Sequence, residues 1–297
     1  MRYYFTNELN IFDFNQHVNI IAENSISPFY YDVANKIKLY NLDTFSFFPN
    51  IPDDCVDLIF ADPPYFLSSG GITCSRGKTV CVNKGEWDKS RNIDDVHNFN
   101  KKWLKESKRI LKENGSIWIC GTFHNMFSVG FALQELNFKI LNNIVWEKQD
   151  PPPNLTQKYF THASEHLIWA SKTKYSKHTF NYDILRESNN GKPIKSVWRD
   201  IWKMPSVNNS EKFFGKHPTQ KPERVVKRAI IASSNLSDLV FDPFCGSGTT
   251  GVVCKQLKRK FVGIDNDKSM LEIAKNRLIA TENIEKDGNM LNGKNST

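Results

Sequence analysis

No stretch of the 297-residue sequence approaches the roughly 18 consecutive apolar residues of a membrane-spanning helix, so no transmembrane segment is expected. The opening residues, Met1-Arg2-Tyr3-Tyr4, are not followed by an apolar stretch and a small-residue cleavage site, and no secretion signal is expected. Cysteine is sparse and unpatterned. Cys55, Cys74, Cys81, Cys120, Cys245 and Cys254 include no Cys-x-x-Cys pair and no framework spacing, which points to reduced thiols in a cytoplasmic protein. There is no internal repeat. Disorder is excluded by a hydrophobic content of 39% with 12% aromatics. A chain of this length buries about three quarters of its unfolded surface, enough for a core without disulfides or metals. The 40 Lys+Arg against 32 Asp+Glu give +8 and a pI near 9.0, which favours a polyanionic partner, most commonly nucleic acid.

Apolar strand-like runs alternate with amphipathic helical stretches, the pattern of an α/β fold with a mostly parallel sheet. The runs are 37–39, 56–61, 116–121, 140–146, 166–170, 239–242 and 260–265. Between the second and third, Val96, Phe99, Trp103, Ile110 and Leu111 recur at helical spacing, with Asp94 or Asp95 as cap and Gly115 as terminator. Further helices are expected over 222–233, after Thr249, and over 269–280. Three stretches break the alternation. Residues 68–91 are rich in Gly, Ser and Lys and read as a long loop over an active site. Residues 172–215 mix Asn, Lys, Tyr and Trp and read as an inserted small module. The tail from Glu282 is Asn-, Lys- and Gly-rich and reads as frayed.

The run Val56-Asp57-Leu58-Ile59-Phe60-Ala61 leads straight into Asp62-Pro63-Pro64-Tyr65. The carboxyl ends of strands are where open α/β sheets bind ligands. Two prolines remove two backbone donors. What remains is carbonyl oxygens and the Asp62 carboxylate, acceptors suited to an exocyclic amine, with Tyr65 as a face on which a base can stack. Taken alone, the same residues also fit a strand-terminating turn with a helix-capping Asp.

A second motif, Leu239-Val240-Phe241-Asp242-Pro243-Phe244-Cys245-Gly246-Ser247-Gly248-Thr249-Thr250-Gly251, is a strand entering a glycine loop that opens a helix. Such a helix N-terminus favours negative charge. Asp265, seventeen residues past Gly248, ends the next strand and is placed to accept hydrogen bonds from a ribose diol. Gly246-x-Gly248-x-x-Gly251 matches the dinucleotide fingerprint, but only one strand follows it, too few for a nicotinamide enzyme. S-adenosylmethionine fits better, with its ribose and adenine for Asp265 and its carboxylate for the helix start. A third motif, Lys216-His217-Pro218-Thr219-Gln220-Lys221-Pro222, precedes a helix; Lys221 could hold the cofactor carboxylate, although the stretch also reads as a capped loop.

Together these motifs resemble the β-group of DNA amino-methyltransferases, over roughly 41–278. Asp-Pro-Pro-Tyr comes first, His-Pro-Thr-Gln-Lys-Pro follows, and the Asp-Pro-Phe-x-Gly-Ser-Gly-Thr-Thr motif comes last. The resemblance extends to Gly70-Gly71, to Val82-Asn83-Lys84-Gly85-Glu86-Trp87-Asp88, and to the Pro151-Pro152-Pro153-Asn154 through Ala170 segment. It implies a Rossmann-like methyltransferase fold with a mostly parallel seven-stranded sheet, one antiparallel strand near the edge, and circularly permuted motif order. One domain over 1–297 is implied: a catalytic region at 41–171, an inserted target-recognition module at about 172–215, a cofactor region at 216–280 and a flexible tail at 282–297. It assigns catalysis to Asp62, Pro63, Pro64 and Tyr65. It assigns cofactor binding to Asp43, Ala61, Thr219, Gln220, Lys221, Asp242, Phe244, Cys245, Gly246, Ser247, Gly248, Thr249, Thr250 and Asp265. Relatives often carry Leu in place of Cys245 and Glu in place of Asp265, changes that leave the site's chemistry intact.

The implied reaction is methyl transfer from S-adenosylmethionine, without a metal, to N6 of a flipped-out adenine in a restriction–modification system. Alternatives are N4-cytosine methylation, whose enzymes more often carry Ser in place of Asp62, glutamine methylation, and a catalytically inactive DNA-binding protein. The implied partner is double-stranded DNA, with single-stranded DNA and a homodimer left open, and a cognate restriction endonuclease that forms no stable complex. Asn83-Lys84-Gly85 is similar to methyltransferases of GATC-specific systems.

Three weaker signals are set aside. His162-Ala163-Ser164-Glu165-His166 matches an inverted zinc-protease pattern, but that chemistry needs a helix, and an apolar strand follows here; Glu165 and His166 are read as orienting loop and strand. Trp198 and Trp202 are read as core rather than as base-stacking platforms. Lys255, Lys258, Arg259 and Lys260 are read as a solvated helix end. The charge balance predicts salt-sensitive DNA binding. If about five phosphates are neutralised, a titration of log affinity against log salt has a slope near −4 to −5, and a flat titration removes the electrostatic argument.

Overall fold

The structure, a computed structural model, describes residues 26–66, 92–148, 151, 153–155, 157–199, 213–215 and 220–281, and the backbone of 72–75 and 78–81. The tail beyond 281, Trp202, Asn83-Lys84-Gly85 and Thr219 lie outside the described residues. In chain order the elements are β1 (Tyr30–Asp32), β2 (Ile37–Asn41), α1 (Thr44–Phe47), β3 (Val56–Ala61), β4 (Ile72–Ser75), β5 (Lys78–Cys81), α2 (Ile93–Ile110), β6 (Leu111–Gly121), α3 (Phe123–Glu135), β7 (Lys139–Glu147), β8 (Ser164–Ser171), α4 (Tyr182–Ser188), β9 (Val197–Trp198), α5 (Glu223–Ser233), β10 (Leu239–Asp242), α6 (Thr249–Gln256), β11 (Lys260–Asp265) and α7 (Lys268–Ala280).

Nine strands form one sheet in the order β1-β2-β11-β10-β3-β6-β8-β7-β9. All seven runs read from the sequence are in it; the two extra strands, three and two residues long, extend its edges. Strands β2, β11, β10, β3 and β6 are parallel, and β8 runs antiparallel to both β6 and β7. The central strands are buried on both faces, which is why β3 and β10 read as near-continuous apolar runs rather than alternating ones. Within 68–91, read as a long loop, β4 and β5 form a separate antiparallel hairpin.

Each face of the sheet carries its own core. Phe47 of α1, Trp103 and Leu104 of α2 and Val129 and Leu133 of α3 cover one side; Leu185 of α4, Val226 of α5, Val253 of α6 and Leu271 of α7 cover the other. On the second side Trp118 and Trp169 stack with centroids 5.1 Å apart, and the Trp118 indole donates to Ser233 Oγ at 2.8 Å. Trp198 packs at 6.0 Å from Trp118 and lies under the Arg228 guanidinium, so it belongs to the core. The described part of 172–215 lies along this edge. The Asn181 amide binds the Ile231 and Ser234 carbonyls, and β9 pairs with β7.

The chain places β6 on one side of β3 and later returns with β10 and β11 on the other. The order reverses between β3 and β10, and that reversal opens a crevice at their carboxyl ends. No helix among the described residues is long and apolar enough to cross a membrane.

Three local expectations are corrected. Helix α2 is capped by Asn92, which accepts from the Asp95 amide at 2.8 Å; Asp94 and Asp95 sit in the first turn, where their charge complements the positive end of the helix dipole. It ends at Ile110 rather than Gly115, because Leu111 is already extended and begins β6. Helix α3, not read from the sequence, has exposed Phe127 and Phe131 that blur its apolar stripe.

The basic run is the third correction. Lys255 and Arg259 are buried. The Lys255 ammonium binds the Leu278 carbonyl at 2.8 Å and the Asp32 carboxylate at 3.0 Å, and Arg259 donates to the Ser234 and Leu257 carbonyls. The ends of α5, α6 and α7 converge here, and their last carbonyls need donors. Lys255→Met, by stranding Asp32, is expected to cost about 2–4 kcal/mol in urea unfolding. A solvated lysine would cost under about 0.5 kcal/mol.

Candidate active site

Strand β3 delivers Asp62 to the crevice, and the carboxylate is engaged at both oxygens. Oδ1 accepts from the Tyr65 hydroxyl at 2.6 Å and Oδ2 from Lys221 Nζ at 2.6 Å. Lys221 comes from the segment leading into α5. Its ammonium is buried, lies 5.3 Å over the Tyr65 ring, and has a second carboxylate, Glu165 Oε2, at 3.7 Å. Glu165 opens β8 and pairs through its other oxygen with Lys148 beyond β7. Charges therefore alternate along Lys148, Glu165, Lys221 and Asp62. Burial alone would lower the Lys221 pKa, but Asp62 and Glu165 outweigh it and hold the ammonium protonated. Burial, reinforced by Asp62 and Glu165, pushes the Tyr65 phenol well up, so it remains a donor. Next to it Phe66 has φ 56°, a left-handed conformation costly for a bulky residue, and packs edge-on against Phe99 at 5.2 Å.

The glycine loop leaves β10 beside this cluster. Asp242 accepts from Thr250 Oγ1 at 2.6 Å and the Phe244 amide at 3.0 Å. Asp265 accepts from the Gly246 amide at 2.9 Å and the Asp267 amide at 2.8 Å. Gly246 and Gly248 adopt φ 48° and 77°, and a Cβ on Gly248 would meet the Ala274 Cβ at 2.7 Å, so the loop can pass this close to α7 only with glycine. Arg277 of α7 fixes the loop from behind, donating to the Ser247 carbonyl at 2.8 Å and the Thr249 hydroxyl at 2.9 Å. Burial raises the Asp242 pKa to about 7, with Asp62 and Asp265 adding to it and the Thr250 and Phe244 hydrogen bonds opposing it. Burial likewise raises Asp265 against its two amide donors.

A cleft of about 280 Å³ joins the two halves. Of the residues singled out in the sequence, Asp43, Asp62, Pro63, Pro64, Tyr65, Gln220, Lys221, Asp242, Phe244, Cys245, Gly246, Ser247, Thr249, Thr250 and Asp265 line it. Ala61 is buried behind it at the end of β3, and Gly248 faces α7. Lys221 sits on Asp62, and its ammonium lies 5.3 Å over the Tyr65 ring.

Phe45, Phe99, Asp267 and Met270 also line the cleft and were not read as site residues from the sequence. Nor was Glu165 given a place in the site. Its one signal is a carboxylate at the head of a buried strand, on the same face as Leu167 and Trp169. The strand also disperses the His-x-x-Glu-His pattern. His162 stacks on Phe123 at 4.3 Å, His166 turns to Asn143 at 3.2 Å, and Glu165 faces Lys221.

A family profile described as DNA methylase matches residues 56–276, from the first residue of β3 into α7. The chain belongs to this DNA methylase family. The methylase is 50% identical over 252 residues to the Type II methyltransferase M2.DpnII of Streptococcus pneumoniae, covering 84% of this chain and 92% of that one. It is 46% identical over 252 residues to the Type II methyltransferase M2.MboI of Moraxella bovis, covering 85% and 91%. Among solved structures, that of the M1.HpyAVI–SAM complex matches with a TM-score of 0.60 at 27% identity, over 82% of this chain and 98% of that one. The cytosine-N4-specific PvuII DNA methyltransferase shares the fold, with a TM-score of 0.58 at 19% identity over 83% and 94%. The profile match spans both the Asp62 turn and the glycine loop.

Asp242 makes the methylase's stability pH-dependent. Its folded pKa of about 7 lies above the 3.8 of the free side chain, so the stabilisation it provides is complete below 3.8 and is lost as pH rises through about 7. The melting-temperature difference, Asp242→Asn minus wild type, is expected to rise in favour of the variant between pH 5 and pH 8. A difference independent of pH would place the proton elsewhere.

Proposed function

We propose that this DNA methylase transfers a methyl group from S-adenosylmethionine to N6 of an adenine flipped out of a specific short DNA sequence. The observation that carries the reading is Asp62, a carboxylate followed by two prolines and held at the mouth of a crevice it shares with the glycine loop.

The side chains of the cleft fit the cofactor. Asp265 offers a carboxylate to a ribose diol, Phe244 and Phe99 offer apolar faces to a purine, and the Gly246–Gly248 turn that opens α6 offers a helix N-terminus to a carboxylate. When bound, S-adenosylmethionine supplies a methyl group activated by sulfonium. The remaining work falls to the chain. The adenine amine is a poor nucleophile because its lone pair is delocalised into the ring. Asp62 and the Pro63 carbonyl accept its N–H bonds, favour a tetrahedral nitrogen and free the lone pair, while Tyr65 fixes Oδ1 of the acceptor. The nitrogen gains a bond to carbon as the carbon–sulfur pair returns to sulfur, and it then loses one proton toward Asp62 and water. Flipping the base costs a few kcal/mol. Stacking on the Tyr65 face returns about 1–3 kcal/mol.

The reading extends to the modification half of a restriction–modification system, acting in the cytoplasm on double-stranded and possible single-stranded sites. A target-recognition role belongs to 172–215, whose Lys, Arg, Asn and Tyr side chains suit phosphates and base edges. A homodimer and a separately acting endonuclease complete it.

Transfer of label from the cofactor to DNA, with sequencing of the modified product, tests the reaction and reads base and context together; label on cytosine N4, or none on DNA, refutes it. In single-turnover assays Asp62→Ala is expected to lose at least a few hundred-fold, roughly 3–4 kcal/mol, the usual cost of one preorganised polar partner. Cofactor affinity should change far less, and Asp62→Asn, which keeps the shape but not the charge, should fall with it. Retained turnover in both folded variants would put the chemistry elsewhere.

A further inference from the structure

Lys221 opposes the reaction proposed above, on which the following inference rests. Its ammonium lies 2.6 Å from Asp62 Oδ2, a position that suits an incoming amine N–H. A carboxylate has about four acceptor sites, so amine and ammonium could share Asp62 in the ground state. They are poorly matched later. As N6 forms its new bond it turns positive, and a second cation on the same carboxylate, in a buried site, repels that charge.

The ammonium cannot simply leave for water, because the Lys221 side chain is only 8% exposed. It has one other destination. Among the described residues Glu165 is the second carboxylate within 4 Å, with Oε2 3.7 Å from Nζ and itself nearly buried. A shift of roughly 1 Å by the flexible lysine stem converts this contact into a close pair. Lys148, the present partner of Glu165, has a side chain 33% exposed and can yield to solvent.

We propose that Glu165 is a positioning residue for methyl transfer: it draws the Lys221 ammonium from Asp62 as the target amine arrives and offsets the ammonium's charge while positive charge builds on N6. In the free protein Lys221 fills the amine's place and keeps Asp62 oriented; in the reacting complex Glu165 holds Lys221 aside.

The test compares wild type, Glu165→Gln, Lys221→Met and the double variant by single-turnover methylation at saturating DNA and cofactor. Equilibrium binding of S-adenosylhomocysteine and thermal unfolding are measured alongside. Glu165→Gln is expected to slow methylation about 100- to 300-fold, the scale of an uncompensated unit charge roughly 5 Å away at an effective dielectric of about 20. Cofactor-site affinity should be unchanged. The double variant should be no slower than Lys221→Met alone, because the carboxylate acts only through the ammonium. A Glu165→Gln rate equal to wild type, a loss that follows cofactor affinity, or losses that multiply in the double variant would each overturn the proposal. If Glu165→Gln does not fold, Glu165→Asp replaces it, with the charge one methylene farther from Lys221; a slower rate is again expected and an unchanged rate again overturns it. Wild-type protein that methylates no DNA would refute the proposed function instead, and is detected before any variant is compared.

Discussion

Three carboxylates at the ends of neighbouring parallel strands meet at one crevice, and the cost of burying them there is the constraint around which this site is built. Asp62 follows β3, Asp242 ends β10 and Asp265 ends β11, three adjacent strands. Like charges in a shared low-dielectric site cannot all ionise without help. Each is accommodated differently. Asp62 has the Lys221 ammonium and the Tyr65 hydroxyl, Asp265 has two backbone amides, and Asp242, with hydrogen bonds but no cation among the described residues, retains its proton up to about pH 7. The site thus presents one paired carboxylate, one solvated by the chain and one largely neutral, three different chemistries from one residue type.

The fold joins these solutions. Lys221 stands two residues before Glu223, the first residue of α5, and Glu223 pairs with Arg277 at 3.0 Å. Arg277 is the residue that fixes Ser247 and Thr249 of the glycine loop. The cation on Asp62 and the backbone of the loop are therefore tethered by one ion pair between α5 and α7, buried on its arginine side. A displacement of either end strains the same contact, which keeps the two halves of the cleft in register.

How much of this was legible follows the range of the interactions. The Asp62 turn and the glycine loop are local: a doubly buried strand leaves a continuous apolar run, and the turn after it is written in adjacent prolines or glycines. Most of the other main strands were legible for the same reason, whereas β7 is half exposed and shows an apolar run only at its end. Partnerships across the chain were not. Lys221 and Asp62 are 159 positions apart, and neither flanking sequence shows that one neutralises the other. Glu165 looked like a strand-end residue because the lysine that selects it arrives on a different element. Lys255 and Arg259 looked solvated because only the assembled ends of α5, α6 and α7 reveal the carbonyls they serve. Helix α3 was missed because its exposed phenylalanines dilute the period that marks an amphipathic helix.

The charge inventory also bears on the proposed donor. A sulfonium donor would bring a positive charge into a cleft lined by Asp62, Asp242 and Asp265, where Lys221 is paired with the first. That charge favours the ionised form of Asp242, just as burial favours the protonated one. With a neutral group in the cleft, Asp242 would keep the environment in which burial holds its proton. A cleft with surplus carboxylate would favour a positively charged occupant over a neutral one of the same shape, and in that sense these side chains suit a sulfonium donor.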